Sequence, residues 1–89
     1  MPDISFSSSA WEDYLSWQAT DLKKTRRINQ LIEDIKRNGH RGIGKPEALK
    51  HDFSGWWSRR IDERNRLIYR ILENGTIQIA QCKNHYRDA

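Results

Sequence analysis

Residues 66–82, Arg-Leu-Ile-Tyr-Arg-Ile-Leu-Glu-Asn-Gly-Thr-Ile-Gln-Ile-Ala-Gln-Cys, form two alternating apolar runs that meet at Asn74-Gly75. Asn-Gly between such runs is the strongest short-range hairpin signal, because both turn positions tolerate positive φ. It predicts strands over residues 66–72 and 76–82. A two-residue turn pairs Glu73 with Thr76, and counting back pairs Arg70 with Ile79, Ile68 with Gln81 and Arg66 with Lys83. Alternation then places Arg66, Ile68, Arg70, Ile79, Gln81 and Lys83 on one face, with His85 added if the strand continues. Leu67, Tyr69, Ile71, Ala80 and Cys82 share the other face, which is apolar and predicted to meet helices. The first is an open basic face that brings Arg66 and His85 together. A slip of one residue would reverse this assignment.

Working outward, residues 56–61 predict a further strand, joined to the hairpin by Asp62-Glu63-Arg64-Asn65. A bulge in that connection would change strand parity, so one of Arg59 and Arg60 faces the open side and the register does not say which. Trp56 and Trp57 fall on opposite faces, so at most one is available on the open face for stacking. Residues 39–46 hold three glycines and a proline and predict a loop. Glu47 follows Pro46, and Lys45 is expected to be extended because a proline follows it. A helix over residues 21–38 carries Leu22, Ile28, Leu31, Ile32 and Ile35 on one stripe, with Asp21 as a cap and Gly39 as a stop. A first helix over residues 10–19 is predicted from Ser9 with Glu12, a capping-box pattern. Trp11, Tyr14, Leu15 and Gln18 share one face, of which the apolar residues are expected to pack inward. Ile4-Ser5-Phe6 alternates as a short first strand. The order is β-α-α-β-β-β, an α+β fold with an antiparallel sheet and an αα-hairpin on one face.

Eighty-nine residues predict one domain, residues 1–89. No run approaches the roughly 20 apolar residues of a membrane span. The start Met-Pro-Asp-Ile-Ser-Phe lacks a signal-peptide pattern, so a cytoplasmic location and no membrane partner are expected. Asn74-Gly75-Thr76 is accordingly read as a turn and not as a glycosylation site. Cys82 is alone in the sequence and cannot form an internal disulfide; its place in an apolar run predicts a buried thiol. The net charge of +4 is uneven: residues 1–20 carry three acids and no Lys or Arg, whereas residues 21–89 carry 16 basic and 9 acidic residues. Such a surplus favours a polyanion, either nucleic acid or an acidic protein segment.

Residues 44–69 concentrate the reactive groups. Glu47 sits among Lys45, Lys50, His51, Arg59, Arg60, Arg64 and Arg66, with aromatic surfaces nearby; Lys83-Asn84-His85-Tyr86 forms a second cluster. RNA carries its own nucleophile, the 2′-hydroxyl. Cutting it needs a base to take that proton, an acid to protonate the leaving 5′-oxygen, and cations for the charge on phosphorus. Glu47 is the candidate base, and His85, whose ordinary pKa is near ~6.5, the candidate acid. Arg66 is the candidate phosphate clamp, supported by Lys50 and by Arg59 or Arg60, and Tyr86 could stack or orient a base. Each has a plainer reading: a loop carboxylate paired with Lys45 or Lys50, a terminal histidine, a sheet-surface arginine, a packing tyrosine. His40 and His51 lack partners at metal-ligand spacing, and Cys82-x-x-His85 alone is a weak zinc pattern. No metal or cofactor is expected.

Matching residues run from Ile4 to Tyr86. They include Ser9-Ala10-Trp11-Glu12-Asp13-Tyr14-Leu15, Trp17-Gln18, Ile28-Asn29 and Leu31-Ile32. Further matches are Gly44-Lys45-Pro46-Glu47, Leu49-Lys50-His51, Trp57-Ser58-Arg59-Arg60-Ile61, Arg66-Leu67, Tyr69 and His85-Tyr86. In these the chain resembles the YoeB/Txe type of toxin, within the RelE-like superfamily of bacterial mRNA interferases. The resemblance implies a microbial-ribonuclease-like fold, ribosome-dependent cleavage of mRNA in the A site, inhibition by a YefM-type antitoxin, and a toxin homodimer. It assigns Glu47 as base, His85 as acid, Arg66 as phosphate binder and Tyr86 as an active-site aromatic, with Lys50 and Arg60 at supporting basic positions. Lys83 joins the expected phosphate-binding set from the register. The antitoxin's inhibitory segment is expected to be acidic and disordered when free. Two departures stand out: Arg87-Asp88-Ala89 follows the His-Tyr pair, and the turn reads Asp-Glu-Arg-Asn where the family often has a second acid and a histidine. Other readings of the same residues are a non-catalytic RNA- or ribosome-binding module, and a co-repressor acting through an antitoxin.

Overall fold

The computed structural model of the protein describes residues 2–84. The chain runs β1 (Ile4–Phe6), α1 (Ser8–Thr20), α2 (Leu22–Asn38), β2 (Glu47–Ala48), a short 3-10 turn (His51–Phe53), β3 (Trp57–Arg60), β4 (Arg66–Ile71) and β5 (Ile77–Gln81). The strands form one five-stranded sheet in the order β1-β5-β4-β3-β2. The α+β class and the αα-hairpin are as expected. The sheet is mixed, because β1 lies parallel to β5 with Ile4 opposite Ile77 and Phe6 opposite Ile79. The N–H of Ile77 donates to Asp3 O and that of Ser7 to Ile79 O, both at 2.9 Å, closing this ladder at its two ends. Glu47, expected in a loop, opens the two-residue edge strand β2.

Both helices begin at polar caps. For α1 the cap is Ser7, two residues before the expected Ser9: its Oγ accepts from Ala10 N at 3.0 Å and donates to Ala80 O at 3.0 Å. That second bond anchors the helix start to β5, a tertiary contact that a local capping pattern does not contain. Asp21 caps α2 through Lys23 N at 3.1 Å. Gly39 ends it with φ 65° and an N–H bond to Ile35 O.

The core lies between the helix pair and one sheet face. It contains Ala10, Ile28, Leu31, Ile32 and Ile35 from the helices, and Leu67, Tyr69, Ile77, Ile79 and Cys82 from the sheet. Burying such side chains contributes about 1.5–3 kcal/mol each before chain entropy is counted. Leu22 is 57% exposed, outside the stripe expected for it. The inward face of α1 is Ala10, Tyr14 and Trp17, whereas Trp11 and Leu15 remain 48% and 43% exposed. Trp11 instead stacks on Tyr14 and meets the edge of Phe6.

The register of β4 and β5 corrects the expected faces. Leu72 N–H bonds Thr76 O at 2.9 Å and Gly75 N–H bonds Leu72 O at 2.8 Å, so the turn holds Glu73, Asn74 and Gly75. Gly75 takes φ 90°, which a side chain would disfavour. The extra residue pairs Ile71 with Ile77, Arg70 with Gln78 and Tyr69 with Ile79. Ile79, expected on the basic face, is therefore core at 1% exposure. A bulge between Ile68 and Tyr69 then restores the expected pairing of Ile68 with Gln81.

Candidate active site

Strand pairing arranges the open face in rows. Glu47 pairs with Ser58, Ser58 with Ile68, and Ile68 with Gln81. Ser58 is buried and Ile68, expected on the open face, is fully buried, so this row is accessible only at its two ends. Arg60 pairs with Arg66 in the row toward the β3–β4 turn, and in the opposite direction Arg70 pairs with Gln78. Partners across a ladder share a face, and residues two apart on a strand lie about 7 Å apart. Glu47 and Arg60 are therefore one strand and one row apart, within reach of a common phosphate. The structure brings Glu47, Arg60 and Arg66 to one face. Lys50, three residues past Glu47, opens the exposed turn beside it.

These groups are unneutralised among the described residues. Glu47 forms no ion pair with Lys45 or Lys50, so the plainer reading of that carboxylate has no support in the geometry. Asp62, in the turn before Arg66, is occupied. Lys24 bridges it at 2.7 Å, and Arg64 N and Asn65 N donate to Oδ1 at 2.8 and 2.7 Å. Burial disfavours the Asp62 carboxylate, but these bonds together outweigh it and hold the group well below the usual range. The turn acid thus faces Lys24 and leaves Arg66 its charge. Nη1 of Arg66 donates to Asp62 O at 2.8 Å and to the Glu63 and Asn65 carbonyls at 3.2 Å. Its other guanidinium donors have no acceptor among the described residues, and an arginine fork of this kind matches phosphate oxygens.

The loop before Glu47 is shaped by Arg59, which the sequence left as an alternative to Arg60 for the open face. Arg59 is fully buried on the helix side. It pairs with Asp34, donates to Gly39 O at 2.5 Å and to Ile43 O and Arg41 O at 3.1 Å, and gives Nε to Tyr69 Oη at 3.2 Å. Its phosphate role is withdrawn: it is the post around which residues 39–44 wrap. The hydrogen bond from Arg59 holds the Asp34 carboxyl below its ordinary range. Gly44 (φ 80°) accepts from Arg60 N at 2.7 Å, joining the loop to β3. Lys45 has φ 51° and is left-handed, not extended as expected. The proline after it excludes the right-handed helical region, and the loop's tie to β3 selects the left-handed turn.

Lys83 is also corrected. Its Nζ donates to Ser16 Oγ at 2.9 Å and lies 5.0 Å from the Trp17 ring centre, against α1 and away from the open face. The next residue does reach the site's edge. Arg66 N–H donates to Asn84 O at 3.0 Å, and Asn84 N–H donates to Asn65 Oδ1 at 2.6 Å. His85 and Tyr86, the expected acid and aromatic, lie outside the described residues. Sequence reading missed the clamp by Asn65, although Asp62-x-x-Asn65 is the pattern of a turn closed by side-chain bonds. Trp57 faces the helix side and stacks on His40 at 4.1 Å, whereas Trp56 faces the open side. Burial pushes the Cys82 thiol up to about 12, as an inert core cysteine requires. Among the described residues no three His, Cys, Asp or Glu side chains converge to hold a metal ion, and no helix is long and apolar enough to cross a membrane.

The fold is that of the RelE-like toxins. Residues 6–86 match the family described as YoeB-like toxin of bacterial type II toxin-antitoxin system, and the chain belongs to that family. It is 51% identical over 83 residues to Toxin YoeB of Streptomyces coelicolor, covering 93% of this chain and 98% of that one. The solved YoeB/ParE toxin from Agrobacterium tumefaciens superposes with a TM-score of 0.92 at 41% identity, covering 94% and 99%. The Staphylococcus aureus toxin, solved in a heterotetrameric YoeB-YefM complex, superposes with a TM-score of 0.88 at 47% identity, covering 97% and 99%. The YoeB dimer from the same species has a TM-score of 0.88 at 46% identity, covering 96% and 98%.

Proposed function

We propose that this toxin is a metal-independent endoribonuclease, a single domain over residues 1–89, that cleaves mRNA in the ribosomal A site and so stops translation. The observation that carries the reading is one carboxylate, Glu47, with no ion-pair partner among the described residues, on the same sheet face as Arg60 and Arg66, whose guanidinium groups retain donors without an acceptor among those residues. Glu47 takes the 2′-hydroxyl proton. The 2′-oxygen attacks the adjacent phosphorus, the bond to the 5′-oxygen breaks, and His85 protonates that leaving oxygen. The products are a 2′,3′-cyclic phosphate and a 5′-hydroxyl end. Arg66, with Arg60 and Lys50, stabilises the charge that builds on the phosphate oxygens, and Tyr86 stacks a flanking base. Burying these groups against ribosomal RNA strengthens every one of these interactions by lowering the local dielectric.

Inhibition falls to an antitoxin of the YefM type, whose acidic segment, disordered when free, covers the cationic face; the Staphylococcus aureus relative crystallised with YefM supports this partner. A homodimer is supported by the dimer of the same relative. The working location is the cytoplasm, where the ribosomes are. The test is purified protein added to translating ribosomes in the presence of chelator. Cleavage of the message is expected, with Glu47→Ala and His85→Ala each lowering kcat by about 10²–10⁴-fold. Salt-sensitive ribosome binding without new RNA ends would identify a non-catalytic binding module instead.

A further inference from the structure

The row beyond Glu47, on the side away from Arg66, holds a second cationic element. Arg70 Cζ lies 4.4 Å from the ring centre of Trp56, and Arg70 Nε donates to Gln78 Oε1 at 2.7 Å. Trp56 on the β3 side, Arg70 on β4 and Gln78 on β5 thus form one line across the open face. The guanidinium sits over the indole and is fixed by one nitrogen. No carboxylate pairs with it, and its two terminal nitrogens have no acceptor among the described residues. An arginine held this way has lost little freedom still to be lost on binding, and its free edge presents the fork that fits two phosphate oxygens.

The geometry points to a second RNA subsite, formed by Trp56, Arg70 and Gln78, that holds the phosphate of a nucleotide flanking the scissile one. This deepens the endoribonuclease reading and rests on it for the direction of the strand. The Arg60–Arg66 row, the Glu47–Ser58–Ile68–Gln81 row and the Trp56–Arg70–Gln78 row succeed one another at about 7 Å intervals. An extended single strand crossing the face would meet the scissile phosphate between the first two rows and the next backbone position at the third. The stacked cation also offers a flat face to a neighbouring base, which single-strand binders use without sequence preference.

The test uses the full chain and a six-nucleotide 2′-O-methyl RNA, which cannot be cut and needs no ribosome. Binding is followed across a salt series, and cleavage of ribosome-bound message is assayed in parallel. Arg70→Gln is expected to weaken binding of the hexamer several-fold and to reduce the salt slope by about 0.7, the share of one phosphate on a single strand. Gln78→Glu keeps the packing but places an anion on the guanidinium, and it is expected to reproduce the loss. Both variants should raise KM for ribosomal cleavage more than they lower kcat. Unchanged affinity and slope in both variants, or no binding of the hexamer by the parent protein, would overturn the subsite. If the parent protein binds in an Arg70-dependent way yet cuts nothing, the nuclease reading fails and the subsite stands. If Glu47-dependent cleavage persists while both variants bind RNA like the parent, the enzyme stands and the subsite fails.

Discussion

Asn65 Oδ1 accepts the backbone N–H of Asn84 at 2.6 Å, while the neighbouring Arg66 N–H donates to Asn84 O at 3.0 Å. The backbone of one residue is thereby held at both its N–H and its carbonyl, by Asn65 and by Arg66. Asn65 is in turn fixed by Asp62, through its backbone N–H at 2.7 Å and its Nδ2 at 2.9 Å. The turn that presents Arg66 therefore also holds Asn84, the residue that precedes the proposed acid in the sequence.

Asn65→Ala removes this grip without touching a charge. Misplacing a catalytic group by about 1 Å can cost as much as 10²-fold. We expect kcat for ribosomal mRNA cleavage to fall by about ten- to a hundredfold while KM changes little. Equal kcat in the variant and the parent, measured under single-turnover conditions, would remove Asn65 from the positioning of the site.

Asp34→Ala strips the counter-charge from Arg59, which is fully buried. Removing one partner of such a pair costs about 3–5 kcal/mol, because the remaining charge stays desolvated. Urea unfolding should show that loss as a lower midpoint at an unchanged slope. The loop over residues 39–44 should be the first segment to gain fast amide exchange.

Gly44→Ala is expected to damage the same loop from the other side. The glycine has φ 80°, and an added Cβ would lie 2.8 Å from Leu31 Cδ2 and 3.2 Å from Arg59 Cβ. Strain of about 1–3 kcal/mol is expected from the backbone alone. Because Gly44 O bonds Arg60 N, the approach to Glu47 shifts with it. Melting temperature and cleavage should therefore fall together.

Acid should destabilise the protein in two stages. His40 is stacked on Trp57, with Nδ1 3.4 Å from Tyr69 Oη. Burial, and then the Arg59 charge, depress its pKa below 6.5. The unfolded chain binds the proton more readily, so stability declines as pH falls from the ordinary histidine value to the lower folded one, and no further through this group. Asp34 and Asp62, both depressed below 3.8, contribute stability that is lost at lower pH, as it falls through their own folded values. In His40→Asn the first stage should vanish from a pH series of urea midpoints while the second persists.

Much of the architecture was legible because it rests on local signals: Asp21 and Gly39 at the ends of α2, Asn74-Gly75 between β4 and β5, and alternation along β4. What escaped has nonlocal causes. The three-residue turn and the bulge beside Tyr69 offset each other, so Ile68 was placed opposite Gln81 correctly while Ile79 was put on the wrong face. Arg59 looked like a surface cation because its partners, Asp34 and three carbonyls of residues 39–43, come from a different part of the chain. Ser7 displaced Ser9 as a cap because only Ser7 also reaches β5. Of the site, only Arg66 was placed on the open face by strand parity. Glu47 was expected in a loop and the register left Arg59 and Arg60 undecided, and both were settled by the pairing of β2 and β4 with β3, whereas Asn65 acts through a backbone group that composition does not reveal.

The parallel pairing of β1 with β5 has a consequence for how the molecule is made. Ser7 and Ala80, bonded to each other, are 73 residues apart in sequence. Closing such a distant contact is slow and waits for the later partner to exist. During synthesis the first strand has no ladder to join until β5 has been made. Until then the helix pair is left without the sheet that completes its interior, and the assembled surface becomes available only once β5 has left the ribosome.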